Sequence, residues 1–266
     1  MTPLLSTRLF RRLPTRSDLA LAAKHQFFDL ELWMNDLMDE PPETARRLSE
    51  RACVQGVRFP VVHLPTKRDG ATINLRITDA FLQNSLLDYF QTALDYAHLF
   101  GTRVAVLHTE ARESTALSRI IELANEHGIA LAFETDVNEH SRLEEFLALF
   151  RRMEAAGHGQ GLCIDLSRTQ VSPDELRMLQ RAIRVIEVSC NRDGREHRIP
   201  TESDNELRAC VQAAAATPYV AYEVVSESPA NHPPGDAELA MMMRRISAWH
   251  RRDDGRTRFE GPVVPF

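Results

Sequence analysis

Residues 161–166 read GLCIDL, a run in which small and large apolar side chains alternate and an acid closes the small-residue set. Side chains along a strand alternate between two faces. Cys163 and Asp165 therefore share one face, and Leu162, Ile164 and Leu166 the other. Three nearby runs repeat the pattern. In 129–134 (IALAFE), Ala130, Ala132 and Glu134 oppose Ile129, Leu131 and Phe133; in 183–188 (IRVIEV), Val185 and Glu187 oppose Ile186 and Val188. In 219–224 (YVAYEV), Ala221 and Glu223 oppose Val220 and Tyr222. The mostly small face suits the crowded interior of a closed barrel, and the larger face suits packing under helices.

Working outward, short apolar runs fill the rest of the chain at similar intervals. Leu4–Phe10, Phe27–Trp33, Val57–Leu64 and Thr102–His108 precede Ile129–Glu134, Gly161–Leu166, Ile183–Cys190 and Tyr219–Val225, which makes eight strand candidates. Between them, Phe81–Phe100, Leu117–His127, Leu143–Met153 and Leu239–Trp249 carry apolar residues at helical spacing. Ser172-Pro173-Asp174-Glu175 starts a helix with a cap, a first-position proline and first-turn acids. Gly101, Gly128 and Gly157 follow helical patterns, where a left-handed cap is expected. Eight strand–helix units predict a single (β/α)8 domain over residues 1–252, with Asp253–Phe266 an irregular tail. An open doubly wound sheet is disfavoured, because no Gly-rich phosphate turn occurs.

Composition agrees with that size and narrows the partners. The chain has 266 residues, 43% of them hydrophobic, and 32 basic against 38 acidic side chains for a net charge of −6. Such a balance argues against duplex DNA as the main partner, which needs clustered Lys and Arg. No apolar run reaches the ~18 residues of a membrane span. Cys53, Cys163, Cys190 and Cys210 lack C-x-x-C spacing and fit free thiols in a reducing compartment. The stretch before Asp18 has no acid and carries Arg8, Arg11, Arg12 and Arg16, faintly like a transit peptide; a first strand followed by a basic loop is the plainer reading. Cytoplasmic localisation is the expectation, and a homo-oligomer is compatible with all of this.

Catalytic groups of such barrels project from the C-terminal strand ends. The last polar residues of the runs are Glu31, His63, His108, Glu134, Asp165, Glu187 and Glu223. Glu134, Asp165, Glu187 and Glu223 recur at about 30 residues per unit with inward parity. Four converging carboxylates repel one another unless a cation or bound protons neutralise them. Oxygen-rich sites suit Mn²⁺, Mg²⁺ or Co²⁺, and imidazole-rich ones Zn²⁺. Trp33, Phe59 and Phe133 are candidate pocket aromatics or plain core. Leu64–Thr78, with Lys67, Arg68 and Gly70, is either a lid or a solvated connection.

The segments FDLELW (28 and its neighbours from Phe27 to Trp33), VVHLP (61–65), GTRVAVLHT (101–109), GIALAFET (128–135), GLCIDLSR (161–168), IRVIEVSCNRDGREHRIP (183–200) and YVAYEV (219–224) resemble, in order, the xylose isomerase-like TIM barrels. That family includes sugar phosphate isomerases and epimerases, inosose isomerases and dehydratases, and endonuclease IV-type enzymes. The resemblance implies a metal at Glu134, Asp165 and Glu223 plus a strand-seven histidine, with Glu134 and Glu223 also acting as acid and base. It implies an enediolate-type proton transfer on a small sugar, keto-sugar or polyol. Two positions depart from the pattern: Glu187 replaces the ligand histidine, and Arg168 replaces the histidine of a D-x-x-H motif.

Glu187 can still ligate a hard cation, giving the expected metal set Glu134, Asp165, Glu187 and Glu223. Arg168 could neutralise these acids without metal or clamp a substrate carboxylate or phosphate. His63, His108, Arg168 and His197 are the expected substrate contacts. Fewer histidines and an acidic balance disfavour Zn²⁺ and a nuclease. A degenerate, non-catalytic barrel that binds a ligand or partner is the competing expectation.

Overall fold

In a computed structural model, the described residues are 1–109, 114–135, 147–148, 150–151, 160–169, 171–192, 195–226 and 233–251. Eight parallel strands close into a barrel in sequence order. They are β1 (Thr2–Ser6), β2 (Asp29–Trp33), β3 (Arg58–His63), β4 (Val104–Thr109), β5 (Ala130–Thr135), β6 (Gly161–Asp165), β7 (Ile183–Glu187) and β8 (Tyr219–Tyr222). Around them run α1 (Arg16–Lys24), α2 (Pro42–Val54), α3 (Ala80–Leu99), α4 (Thr115–Glu126), α5 (Pro173–Leu179), α6 (Asn205–Ala213) and α7 (Asp236–Arg251). The chain is therefore the expected (β/α)8 barrel.

The two faces of each strand separate into two apolar sets. Leu4, Val61, Val104, Val106, Ala132, Cys163, Val185 and Ala221 pack together inside the barrel. Leu131, Phe133, Leu162, Ile164, Ile186, Val188, Val220 and Tyr222 join the larger core with helix residues such as Leu94, Ile120 and Met243. Burying each large side chain contributes about 1.5–3 kcal/mol, so a one-residue slip of any strand would forfeit several such terms. That penalty fixes which residues face the mouth. Phe59 and Phe133 belong to this core and do not line a pocket.

Helix punctuation follows the sequence closely. Ser172 accepts from Glu175 N while the Glu175 side chain accepts from Ser172 N, a complete capping box. Gly101 and Gly128 adopt φ of 68° and 69° just past α3 and α4. The amide of Thr102 then donates to Ala97 O and that of Ile129 to Ala124 O, closing both helix ends. Gly157, most of Leu143–Met153 and the tail 253–266 lie outside the described residues. The four cysteines are free; Cys53 is exposed, and Cys163 and Cys210 are buried.

Several boundaries differ from the expectation, among them that of β8, which ends at Tyr222 rather than Val225 and leaves Glu223 just past the strand. The first strand ends at Ser6, and Thr7–Phe10 forms a 3-10 turn closed by Arg11 at φ 55°. This turn buries Leu9 and Phe10 and turns Arg8 toward Glu223. Strand β7 ends at Glu187, and Cys190–Arg192 pairs antiparallel with Arg195–Arg198 over the mouth side of the chain's seventh unit. After β3, Lys67–Arg68 pairs with Ala71–Thr72. That hairpin is fastened to α3, since Arg68 donates to Ser85 O and lies over the Tyr89 ring. No helix among the described residues is long and apolar enough to cross a membrane.

Candidate active site

The C-terminal strand ends bring Glu31, His63, His108, Glu134, Asp165, Glu187 and Glu223 to one mouth. Register sets their levels: Ser6 lies beside Glu31, His108 beside Glu134, and Asp165 beside Glu187. All five acids are buried, none more than 2% exposed.

On one side, His63 Nε2, His108 Nε2 and Glu134 Oε2 form a triangle with every edge 3.0 Å. Nδ1 of His63 lies 3.1 Å from Leu64 O, and its Nε2 faces the Glu134 carboxylate. Two imidazole nitrogens carry at most one N–H each, so three edges cannot all be hydrogen bonds. Burial alone would raise the Glu134 pKa, but the charges and hydrogen bonds of His108 and His63 hold it well below the usual carboxylate range. Burial lowers the His63 pKa in turn.

On the other side, Asp165, Glu187 and Glu223 present oxygens within 4.8 Å of one another. Burial, then the charges of Glu134 and Glu223, push Asp165 to about 7. The same causes raise Glu187 well above its ordinary value. Glu31 beneath them rises to about 8 through burial and the charge of Glu223. Glu187 accepts the Cys163 thiol at 3.4 Å through Oε1, and Asp165 accepts Ser167 N at 2.8 Å through Oδ1. Their second oxygens, Oε2 and Oδ2, and both oxygens of Glu31 make no hydrogen bond.

A cationic group sits over these acids. Arg8 pairs with Glu223. Arg168 Nε stands 3.3 Å from Asp165 Oδ2, close enough for an ion pair without hydrogen-bond alignment. His197 Nε2 lies 3.1 Å from both Arg8 Nη1 and Arg168 Nη2, and its Nδ1 is 3.6 Å from a Glu223 oxygen. His197 is held at φ 56°, a left-handed conformation that costs a non-glycine residue about 1–2 kcal/mol. Although burial opposes it, Arg8 and then His197 keep the Glu223 pKa below its ordinary value. Trp33 lies under the Arg8 guanidinium at 4.9 Å and against the His63 ring at 3.9 Å.

Every residue expected at the site thus lies at this mouth, in two sub-clusters. Arg8, Glu31 and Trp33 belong to it as well. Glu31 has a sequence signal, its strand-end position; Arg8 has only its membership of an acid-free basic stretch.

The donor chemistry fits a divalent cation. Buried carboxylate oxygens with no hydrogen-bond partner at Asp165 and Glu187 are what a hard ion takes up. The His63–His108–Glu134 triangle has the mixed nitrogen and oxygen character of a transition-metal site. Cys163 also stands near Glu134 and Glu187, but burial and the Glu187 charge raise its pKa well above normal, which disfavours the thiolate.

Comparisons with known proteins bear on this geometry. A family profile described as xylose isomerase-like TIM barrel matches residues 18–246. A comparison with curated proteins finds no match. Among solved structures, a xylose isomerase domain protein from Alicyclobacillus acidocaldarius subsp. acidocaldarius superposes with a TM-score of 0.70 at 16% identity, over 96% of this chain and 100% of that one. A D-psicose 3-epimerase solved in the presence of D-fructose gives 0.70 at 13% identity, over 96% and 100%. The IOLI protein with a binding zinc atom gives 0.69 at 13%, over 95% and 98%. At such identities the likeness is one of fold.

Proposed function

This chain belongs to the xylose isomerase-like TIM barrel family, and from that premise we propose that it is an isomerase or epimerase of a small sugar, keto-sugar or polyol. The observation that carries the reading is the set of five buried acids, Glu31 from β2 and the other four from the ends of the consecutive strands β5 to β8, with Asp165, Glu187 and Glu223 oxygens within 4.8 Å. Asp165, Glu187 and Glu223 would hold a divalent cation, Mn²⁺, Mg²⁺ or Co²⁺, with His63, His108 and Glu134 as a second donor group. Bound there, the ion would polarise a substrate carbonyl and ease loss of a proton from the neighbouring carbon.

Glu134 and Glu223 are the two proton carriers. Their neighbours hold both as carboxylates at neutral pH, the form that accepts a proton. One, as a carboxylate, withdraws the proton, and the other, once it has taken a proton from the medium, returns that proton on the opposite side of the substrate carbon. His63 and His108 position Glu134, and Arg8 and His197 position Glu223. The N–H groups of Arg8 and Arg168 also meet negative charge that develops on substrate oxygens. Burial of the acids keeps bulk water from competing for the proton.

Ketoses and polyols incubated with the protein and Mn²⁺, Mg²⁺ or Co²⁺ in deuterium oxide test this by NMR. Exchange at a carbon next to the carbonyl is expected, lowered about 10²–10⁴-fold in Glu134→Gln and Glu223→Gln. No exchange on any compound with any of these ions contradicts it. One observation favours a second reading, a barrel that binds a ligand without turnover: Arg8 and Arg168 already occupy Glu223 and Asp165 as counter-ions. Saturable binding without exchange would select that reading.

A further inference from the structure

We propose that His127 is a pH-sensitive latch between α3 and α4, closed by its imidazolium form and loosened as that proton leaves. It lies in the helical layer and does not depend on how the mouth is read. His127 follows the last residue of α4, the helix that packs against α3. Its Nδ1 lies 2.7 Å from Leu123 O in the last turn of α4, and its Nε2 lies 2.8 Å from Asp95 Oδ1 on α3. Both partners are acceptors, one a carbonyl and the other a carboxylate. A neutral imidazole has one N–H and answers only one of them; the imidazolium has two and answers both. Gln91 Nε2 donates to the same Asp95 oxygen at 3.0 Å and stands farther off, at 3.3 Å, from His127 Nε2. The carboxylate is the closer neighbour and calls for an N–H on that nitrogen.

Charge favours the same form. Among the described residues, the charged and titratable groups around the ring are Asp95 and His98 on α3 and Glu126 on α4. Two of these are acids, and His98 meets the ring edge to face with centroids 6.0 Å apart. The carbonyls at a helix C-terminus also attract a cation. Burial would lower the His127 pKa, but the Leu123 carbonyl and then Asp95 outweigh it and raise it above the ordinary value. A raised folded pKa contributes stability that is full below the unfolded value and lost as pH climbs through the folded one. Asp95 is more than half exposed, so water screens the pair and keeps the effect small. The latch joins the helices that lead into β4 and β5, the strands bearing His108 and Glu134 near their far ends. Gly128 N donates to Asn125 O and Ile129 N to Ala124 O, so the amides that close α4 lie beside the ring and report its state.

Imidazole NMR of the whole protein, together with amide hydrogen exchange, tests both halves of this. The His127 midpoint should lie above the ordinary histidine value of about 6.5 and should fall in Asp95→Asn, which keeps the ring and its carbonyl partner. Between about pH 6 and pH 9, protection of the Gly128 and Ile129 amides, corrected for intrinsic exchange, should drop about two- to five-fold, the size expected of one cation at a helix end. In His127→Gln, which leaves every titrating group at the mouth in place, that drop should be absent. A midpoint at or below the ordinary value overturns the proposal, as does a midpoint that Asp95→Asn leaves unmoved. Protection with the same pH dependence in His127→Gln as in the wild type overturns it too. Should His127→Gln fail to fold, the wild-type and Asp95→Asn midpoints still decide.

Discussion

Arg8 and Glu223 pair across the seam where β1 closes onto β8, joining the first and last units of the barrel at its mouth. The glutamate is buried, and His197 Nδ1 stands 3.6 Å from its other oxygen. Removing one partner of a buried pair costs about 3–5 kcal/mol, less where one side reaches solvent. Arg8→Gln should therefore lower the unfolding free energy of the cation-free protein by about 2 kcal/mol, measured in urea. A change below a few tenths would show that the seam does not depend on this pair.

Glu187→Gln should behave in the opposite way. Burial and the charges of Glu134 and Glu223 push the Glu187 pKa well above its ordinary value, which favours the neutral carboxyl in the cation-free protein. An amide of the same shape replaces a neutral acid, so stability should move by less than about 1 kcal/mol. Mn²⁺ affinity should fall at least ten-fold, because an ionisable ligand is lost. A stability loss above about 3 kcal/mol would contradict a neutral Glu187.

Cation affinity should rise with pH between 6 and 8. Asp165 at about 7, raised by burial and then by the charge of Glu134, binds a proton that the ion must displace. Below that value each displaced proton makes affinity steeper by about ten-fold per pH unit. Titrating Mn²⁺ in buffers of different ionisation enthalpy would count the protons released. Affinity independent of pH, with no proton release, would contradict the account.

Away from the site, Asp18 closes the capping box of α1 and pairs with Arg12. Burial opposes its ionisation, but Arg12 and Thr15 hold its pKa below the ordinary value. A depressed folded pKa contributes stability above the unfolded value and loses it as pH falls through the folded one. Asp18→Asn should cost about 2 kcal/mol at pH 7, with the gap to wild type closing below about pH 4. A gap that widened in acid would contradict this sign.

The acids were legible because strand parity is a property of sequence. Cys163 faces in and Leu162 faces out whatever the rest of the chain does, and Glu134, Asp165, Glu187 and Glu223 inherit that direction. Arg8 was not legible, because the 3-10 turn at Thr7–Phe10 breaks the alternation that assigns faces, and its partner lies at the far end of the chain. His63 and His108 could be placed at strand ends, but their meeting on Glu134 depends on side-chain rotamers and on the level of neighbouring strands. Trp33 shows the same limit. Its position in the sequence reads more readily as core than as pocket, and only the closed barrel sets it between Arg8 and His63.

Anomalous diffraction from crystals loaded with Mn²⁺ tests the central claim most directly. The account predicts a peak at the barrel mouth within about 2.0–2.3 Å of oxygens of Asp165, Glu187 and Glu223. No peak there at saturating Mn²⁺, with Arg8 and Arg168 still seated on Glu223 and Asp165, would contradict it.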